Sequence, residues 1–563
     1  MLTSEKLIVQ LVVDQCQLHG VRHIVLSPGS RNAPFAIAFD ENPFFKTFVI
    51  HDERSAAFFA LGMATELNEP VAICCTSGTA ALNYYPAIAE AFYRNIPLLV
   101  ITADRPKAWV NQGDGQTIVQ QDVFQNHILF QTHIDDGKLE GVEKWNAQRE
   151  TAIAFQQLVS KNAGPVHINV GLNEPLYKTV EKAENVGRKI LTNLLNSSFS
   201  ADFRGELKTL LTGSKIMVLC GQLPVNLHLL KELETLSADT NTLILVENTS
   251  NLQSEHFVHC IDRALNSISA EDEVAFQPDV LITIGGAVVS KRIKAFLRKS
   301  DLMAHIRVGH GFPLMDTYMQ LSHDVEMQPE AFLAELNTLE YPKSTLNFAG
   351  IWRKLDYLSK DKIPDFIATL TDLTDIFVFN ELFECLPENS VLHMANSSVV
   401  RYCQLFDPIR GVRFEANRGT SGIDGSFSTA VGSAIANPDK LHVHVTGDVS
   451  FLYDSNALWI NPFPENLKVL LVNNRGGGIF RIIDGPSTSK QRSHYFEANH
   501  SQQGAPLVTA FGKTSESVNE KTTFALKLTE LLYGNSLFLL EAHTKAEKNA
   551  DDLTEFFNYL RVK

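Results

Sequence analysis

Cysteine is scarce in this chain: seven residues in 563, none at the C-x-x-C spacing of a metal or redox site. Two of them, Cys74 and Cys75, lie side by side inside an apolar run that reads as a buried strand. This excludes a disulfide framework and a thiolate zinc site, and it fits a reducing, cytoplasmic setting. No apolar run approaches the ~18 residues that mark a membrane helix, so no membrane insertion is expected. The opening M-L-T-S-E-K-L-I-V-Q-L-V-V-D is broken by charges and reads as an amphipathic helix, not a signal peptide. Positive charge is in deficit. The formal net charge of −15 argues against nucleic acid and anionic membrane as partners. Nucleotide signatures are also missing. No G-x-G-x-x-G follows a strand, and Gly512-Lys513-Thr514 only imitates the end of a Walker loop, because Leu507 stands where that loop needs glycine. There is no low-complexity segment and no evident repeat.

The composition is that of a globular protein, with 44% apolar and 20% charged residues. A chain of 563 residues is too long for one core, and two to four domains are expected. Strand and helix alternate through residues 1–178. The expected order is helix Ser4–His19, strand His23–Leu26, the loop S-P-G-S-R-N, strand Thr47–Ile50 and helix Glu53–Glu66. Strand Val71–Thr76, helix Thr79–Tyr93, strand Leu98–Thr102 and the loop A-D-R-P follow. A second α/β unit has strands near Lys215–Leu219, Leu243–Glu247, Val280–Ile284 and His305–Val308; a third has them near Val391–His393, Leu441–Thr446, Val469–Val472 and Leu537–Glu541. The charged run 178–189 reads as a linker, and a polar connection spans 341–350. The fold class expected is α/β, three doubly wound parallel-sheet domains at 1–180, 190–345 and 360–563. Ligands of such sheets gather at the carboxyl ends of the strands, where the polar loops fall.

Three groups of residues stand out there. The runs His442–Thr446 and Lys468–Val472 end in turns carrying Asp448 and, 26 residues on, Asn474 followed by glycines at 476–478. One carboxylate, one amide oxygen and the Gly476 carbonyl suit a hard octahedral cation that also holds phosphate oxygens. Two ordinary strand-to-helix turns would look much the same. Glu53 opens a helix, where a carboxylate gains ~0.3–1 kcal/mol from the helix dipole. Behind it Ala56, Ala60, Ala64 and Gly62 allow close helix packing, which would desolvate Glu53 and suit it to share a proton with a buried nitrogen base. Finally, Arg31, Arg105, Arg401 and Arg418 sit in polar loops or helix starts, and Lys291 and Arg292 follow the G-G-A-V-V-S turn. Solvated surface charge is the plain reading of any one of them. Together, in an acidic chain, they suggest carboxylate binding.

The Asp448–Asn474 spacing resembles the Gly-Asp-Gly…Asn-Asn motif of thiamine-diphosphate enzymes, with Val449 in place of the second glycine. S-P-G-S-R-N-A-P, H-D-E-R-S-A-A-F-F-A-L-G-M-A, T-S-G-T-A-A-L-N-Y-Y-P-A-I-A-E-A and T-A-D-R-P resemble the 2-succinyl-5-enolpyruvyl-6-hydroxy-3-cyclohexene-1-carboxylate synthases. So do A-N-S-S-V-V-R, N-R-G-T-S-G-I-D-G and the 448–480 stretch, and that family also lacks the second glycine. The likeness is dense in the first and third domains and thin in the middle.

The resemblance implies pyrimidine, central and diphosphate domains. It also implies a transferase of menaquinone biosynthesis that uses thiamine diphosphate with magnesium or manganese. 2-Oxoglutarate would be decarboxylated and the remaining four-carbon unit added conjugately to isochorismate. Glu53 would activate the cofactor, and Asp448, Asn474 and Gly476 would hold the metal. Gly422, Ile423, Val449, Ser450 and Ile479 would line the cofactor, with Ile423 as the apolar wedge that bends it; ordinary core packing is the other reading of Ile423. Ser30, Arg31, Arg105, Gln116, Lys291, Ser397, Arg401 and Arg418 would meet the substrates, with Arg292 and Phe480 beside them. Ser30, Arg31, Gln116, Ser397 and Arg401 would share the catalytic work with Glu53. Gly115 replaces the asparagine frequent in the family, so one side-chain contact is lost. A homodimer or homotetramer with sites shared between chains is implied. No catalytic histidine stands out among the eighteen, which suits proton transfer by the cofactor's own amine. Two rivals stay open: an acetolactate-synthase-like decarboxylase, which would need fewer loop arginines, and a non-catalytic dicarboxylate sensor, which would not need Glu53, Asp448 and Asn474. No role is evident for the polar loop 484–505.

Overall fold

Apolar runs without helical period become the inner strands of three parallel sheets. The computed structural model describes residues 1–137, 139–182, 185–190, 197–310, 315–483 and 485–562. In the first part of the chain lie β1 (Leu2–Ser4), β2 (His23–Leu26), β3 (Lys46–Val49), β4 (Val71–Cys75), β5 (Leu98–Asp104), β6 (Phe130–Asp135), β7 (Val166–Gly171) and β8 (Thr179–Glu181). Six form a parallel sheet in the order β3-β2-β4-β5-β7-β6. Every residue of β4, β5 and β7 is buried, so these strands read as continuous apolar runs.

The second sheet holds β9 (Ile216–Cys220), β10 (Thr242–Val246), β11 (Val280–Ile284), β12 (Ala304–Val308) and β13 (His323–Val325), in the order β10-β9-β11-β12-β13. The third holds β14 (Val391–Met394), β15 (Arg413–Glu415), β16 (His442–Gly447), β17 (Leu467–Asn473), β18 (Ser515–Val518) and β19 (Leu539–His543), in the order β15-β14-β16-β17-β19-β18. Among the described residues no helix is long and apolar enough to cross a membrane.

Three expectations need correction. The helix expected over Ser4–His19 starts at Leu7, because Leu2–Ser4 pairs antiparallel with β8. The run 178–189 is therefore not a free linker along its length. Thr179–Glu181 is strand, Lys182 pairs with the buried Asp14, and the Val186 N–H donates to Asp14 at 2.7 Å. Residues 183 and 184 of that run lie outside the described residues. The helix expected over Thr79–Tyr93 is two, Thr79–Asn83 and Tyr85–Arg94. Pro86 has no N–H to continue the first helix and fits the first turn of the second.

The chain divides into two compact units that are not simple successions of these sheets. One comprises Met1–Leu194, Asn417–Lys440 and Asp454–Leu467; the other comprises Leu195–Ala416, Leu441–Tyr453 and Lys468–Lys563. Within the first, helix Glu53–Leu67 packs on helix Ser426–Ala436. A methyl group on Gly62 would lie 2.0 Å from the Thr429 carbonyl oxygen, and one on Gly432 2.0 Å from that of Phe59. Only glycine permits this approach. Gly62 thus faces a backbone, and Glu66 closes the pair by accepting from Ser433 Oγ at 2.6 Å and Asn437 Nδ2 at 2.7 Å.

Candidate active site

β16 and β17 are neighbours in the third sheet, and their carboxyl ends deliver Asp448 and Asn474. Asp448 is buried and accepts the Val449 N–H at 2.7 Å and the Gly476 N–H at 2.9 Å. Burial pushes its carboxyl above the usual range, partly offset by these bonds and by His500, whose Nε2 lies 3.3 Å away. His500 Nδ1 accepts the Gln502 N–H at 3.1 Å, so in the neutral ring the proton is on Nε2, facing Asp448. Asn474 donates from Nδ2 to Asp375 at 3.3 Å, which turns Oδ1 away from that carboxylate. Asn474 Oδ1 is buried and has no hydrogen-bond partner among the described residues.

Gly476 has φ +151°, and a methyl group there would meet the Glu497 carbonyl oxygen at 2.3 Å. Buried Glu497 pairs with Arg481 at 2.9 Å and Arg492 at 3.0 Å. These contacts give the 484–505 loop a place, over the glycine turn; residue 484 itself lies outside the described residues. Ser450 and Ile479 are buried, Val449 is half-buried, and the Phe480 ring lies 5.7 Å from that of Phe496. Among the described residues no trio of His, Cys, Asp or Glu gathers as a metal site. The donor set is instead one carboxylate, one unsatisfied amide oxygen and the Gly476 carbonyl. This fits a hard, oxygen-seeking cation.

In the other unit, Glu53 opens its helix behind Asp52, whose carboxylate caps it by accepting the Ser55 N–H at 3.1 Å. Burial pushes the Glu53 carboxyl up and neighbouring Asp52 adds to this, against the pull of a backbone hydrogen bond. The Glu53 charge is also felt by Cys75 and Tyr84, both fully buried.

The loop after β2 holds exposed Ser30 and buried Arg31. Arg31 donates to the Leu172 carbonyl at 2.9 Å and pairs with Glu174 at 3.1 Å. Burial and then the nearby Arg105 lower its pKa. Arg105 follows β5, pairs with Asp114 at 3.0 Å and donates to the Gly115 carbonyl at 3.0 Å. Position 115 therefore contributes its backbone. Gln116 is exposed at φ +54°, and a methyl group on Gly78 would lie 3.3 Å from its backbone. The S-R loop, the R-P loop and the T-S-G-T turn thus converge at the carboxyl ends of the inner strands β2, β5 and β4. Arg418 is buried in the loop 417–425, where Gly422 and Ile423 are half-buried.

Ser397 and Arg401 belong to the unit that holds Asp448. Ser397, at φ +72°, caps the helix Ser398–Cys403, and its carbonyl accepts from Arg401. Burial lowers the Arg401 pKa, opposed by Asp262 and Glu247. Glu247 accepts the Val289 and Ser290 N–H groups at 2.7 Å each, and Ser290 also bonds Asp262. Arg401 thus shares neighbours with the turn that starts the helix Lys291–Lys299, where Lys291 is exposed. Arg292 is engaged elsewhere: its guanidinium carbon lies 4.0 Å from the Phe557 ring centroid, and it donates to Asn266 at 3.4 Å.

Sequence reasoning missed Asp375, His500, Glu174 and Asp114. Asp375, buried and pushed up to about 6 by burial, follows Thr374 at a helix start and resembles any capping pair. Its other bonds, from Thr544 Oγ1 at 2.6 Å and Asn549 Nδ2 at 2.7 Å, come from residues about 170 positions away. No local spacing signals them.

The family model described as thiamine pyrophosphate enzyme, N-terminal TPP binding domain, matches residues 8–133, and that of the C-terminal TPP binding domain matches residues 397–542. The chain is 40% identical over 566 residues to a 2-succinyl-5-enolpyruvyl-6-hydroxy-3-cyclohexene-1-carboxylate synthase of Flavobacterium psychrophilum, covering 98% of each protein. It is 39% identical to the synthase of the same name from Flavobacterium johnsoniae, again over 98% of each. It is 34% identical to that of Porphyromonas gingivalis, over 99% of this chain and 98% of the relative.

Proposed function

This chain belongs to the 2-succinyl-5-enolpyruvyl-6-hydroxy-3-cyclohexene-1-carboxylate synthase family, and from that membership we propose that it makes this product from 2-oxoglutarate and isochorismate, in the cytoplasm, for menaquinone biosynthesis. 2-Oxoglutarate loses carbon dioxide, and its remaining four-carbon unit adds conjugately to the isochorismate ring. Thiamine diphosphate, when bound, supplies the electron sink for loss of carbon dioxide.

The chain's residues do the rest. Asp448, Asn474 and the Gly476 carbonyl hold magnesium or manganese on the diphosphate, while Val449, Ser450, Ile479, Gly422 and Ile423 line the cofactor. The observation that carries this reading is the buried Asn474 Oδ1, which has no hydrogen-bond partner among the described residues while Asp448 and Gly476 are hydrogen-bonded to one another. An orphaned buried acceptor costs free energy unless a ligand satisfies it. Glu53, with its carboxyl already raised, holds or yields a proton at the cofactor's pyrimidine nitrogen. Arg31, Arg105, Lys291, Arg401 and Arg418 neutralise the substrates' carboxylates, with Ser30, Gln116 and Ser397 positioning them and Arg292 and Phe480 at the margin. The domains run over 1–180, 190–345 and 360–563. The assembly is at least a homodimer, with Glu53 and Asp448 of one site drawn from different chains.

The direct test is to incubate the protein with thiamine diphosphate, magnesium and 2-oxoglutarate, with and without isochorismate, and to identify the product by mass. Transfer to isochorismate is expected; release of succinic semialdehyde alone in both incubations would favour a simple decarboxylase.

Arg105 is expected to serve isochorismate. Charge-assisted bonds contribute ~1.5–3 kcal/mol, so Arg105→Ala should raise the isochorismate KM by roughly ten- to hundred-fold. Because Asp114 and the Gly115 carbonyl already hold the guanidinium, part of its bonding is offset on substrate binding and the lower figure is expected. Steady-state kinetics with each substrate varied in turn would check this. A rise confined to the 2-oxoglutarate KM would refute the division.

A further inference from the structure

We infer that Glu90 is a positioning residue that fixes the loop 417–425 and, through it, aims Arg418 and Ile423. The inference rests on the substrate and cofactor roles proposed above for those two residues. Glu90 lies on helix Tyr85–Arg94 and its side chain has no exposed surface. A buried carboxylate is tolerated only where donors satisfy it. Here the close donors come from the loop: the Gly419 N–H at 2.9 Å, the Thr420 N–H at 2.6 Å and the Thr420 hydroxyl at 2.9 Å. Arg94, one turn on, lies 4.0 Å away.

The loop also rests directly on this helix. A methyl group on Gly419 would lie 2.8 Å from the Glu90 carbonyl oxygen and 3.1 Å from Tyr93 Cβ. Directly after the clamped pair, Ser421 has φ +63°, a left-handed conformation that a serine keeps only where its neighbours dictate it. The loop's ends are fastened as well. Asn417 donates to Thr429 Oγ1 at 3.0 Å, and Gly425 abuts Phe58, whose ring a methyl group there would meet at 2.1 Å. Arg418 therefore stands between two fixed residues, and Ile423 between the Glu90 clamp and the Gly425 contact. All of these residues belong to one compact unit. Having no exposed surface, Glu90 acts through the loop and not on a ligand.

The chemistry also specifies a carboxylate. Two N–H groups and one hydroxyl converge on two oxygens, and a glutamine would turn its NH2 against one of those donors. The test compares Glu90→Gln, Thr420→Val and Arg418→Ala, alone and with Glu90→Gln combined with Arg418→Ala. The readouts are the KM of each substrate, thiamine diphosphate affinity by calorimetry in magnesium, and the thermal midpoint. Glu90→Gln is expected to raise the KM of the substrate that Arg418→Ala affects by ~ten-fold, the scale of one or two hydrogen bonds. It should also weaken cofactor binding several-fold, yet add little to that KM once Arg418 is gone. Thr420→Val removes one hydroxyl bond and should reproduce the same pattern at smaller size with little change in thermal midpoint, which keeps the test decisive if Glu90→Gln does not fold. A lower thermal midpoint with unchanged KM and cofactor affinity would overturn the inference, as would KM effects of Glu90 and Arg418 that simply multiply. If Arg418→Ala alone leaves both KM values unchanged, the proposed substrate role of Arg418 fails. Cofactor affinity in Thr420→Val then decides the Glu90 inference through Ile423.

Discussion

Asp448→Ala is expected to make thiamine diphosphate binding insensitive to divalent ions. The substitution removes the single charged member of a set whose other two are an amide oxygen and a backbone carbonyl, so a doubly charged ion loses its main attraction. The loss reaches beyond the missing ligand. The Gly476 N–H, which donates to Asp448 at 2.9 Å, would lose its acceptor, and the glycine turn its link to β16. His500 would lose the carboxylate it faces. Loss of an outer partner of a metal ligand costs ~10–100-fold in affinity. Removal of the ligand itself should cost more, at least ~100-fold. Calorimetric titration with thiamine diphosphate, in magnesium and in chelator, reads this directly: the wild-type chain should show a large magnesium dependence and the variant none. Equal affinities for wild type and variant in magnesium would remove Asp448 from the metal site.

Glu53→Gln should have the second large effect, and on a different quantity. Glutamine keeps the shape and one hydrogen bond, so cofactor binding should weaken only modestly. It cannot exchange a proton. Burial has already raised the Glu53 carboxyl, which brings its protonated form closer to neutral pH, where a proton donor to a ring nitrogen is useful. Positioned acid–base groups contribute ~10²–10⁴ in rate, and proton exchange at the thiazolium carbon should slow by that order. Exchange into deuterium oxide, quenched and read by NMR on the holoenzyme, is the measurement. A wild-type exchange rate in the variant would exclude Glu53 from cofactor activation.

What could be read in advance followed burial. Inner strands such as β4, β5 and β17 are wholly buried and therefore written as apolar runs. Four of the edge strands are not. β6 is half-buried and carries Gln131, Thr132 and His133, while β13, β15 and β18 are short and polar, so none offered a period to detect. The same division holds at the site. Glu53, Asp448, Asn474 and Gly476 stand in turns whose strings are distinctive. Their partners do not: Asp375 is brought to Asn474 across 99 positions, and Arg31 reaches Glu174 across the width of the first sheet's sequence. Glu90 lay in plain view inside the T-S-G-T-A-A-L-N-Y-Y-P-A-I-A-E-A string. Its partners are over 300 positions away, and only the fold reveals them.

The composition of the first unit bears on how the chain is made. Helix Glu53–Leu67 emerges early in synthesis, with Gly62 prepared for a backbone that belongs to Ser426–Ala436. That partner is translated only after the whole second sheet and the first strands of the third. Until then the helix has a glycine-lined apolar flank with nothing to cover it, in a nascent chain that otherwise has a complete six-stranded sheet. Domains commonly fold as they leave the ribosome, and exposed apolar surface in such intermediates invites aggregation. The first unit is therefore discontinuous in time as well as in sequence. Its N-terminal portion must wait for the residues up to 467, and a fragment cut at the end of the first sheet would keep the strands while lacking the helix that completes them.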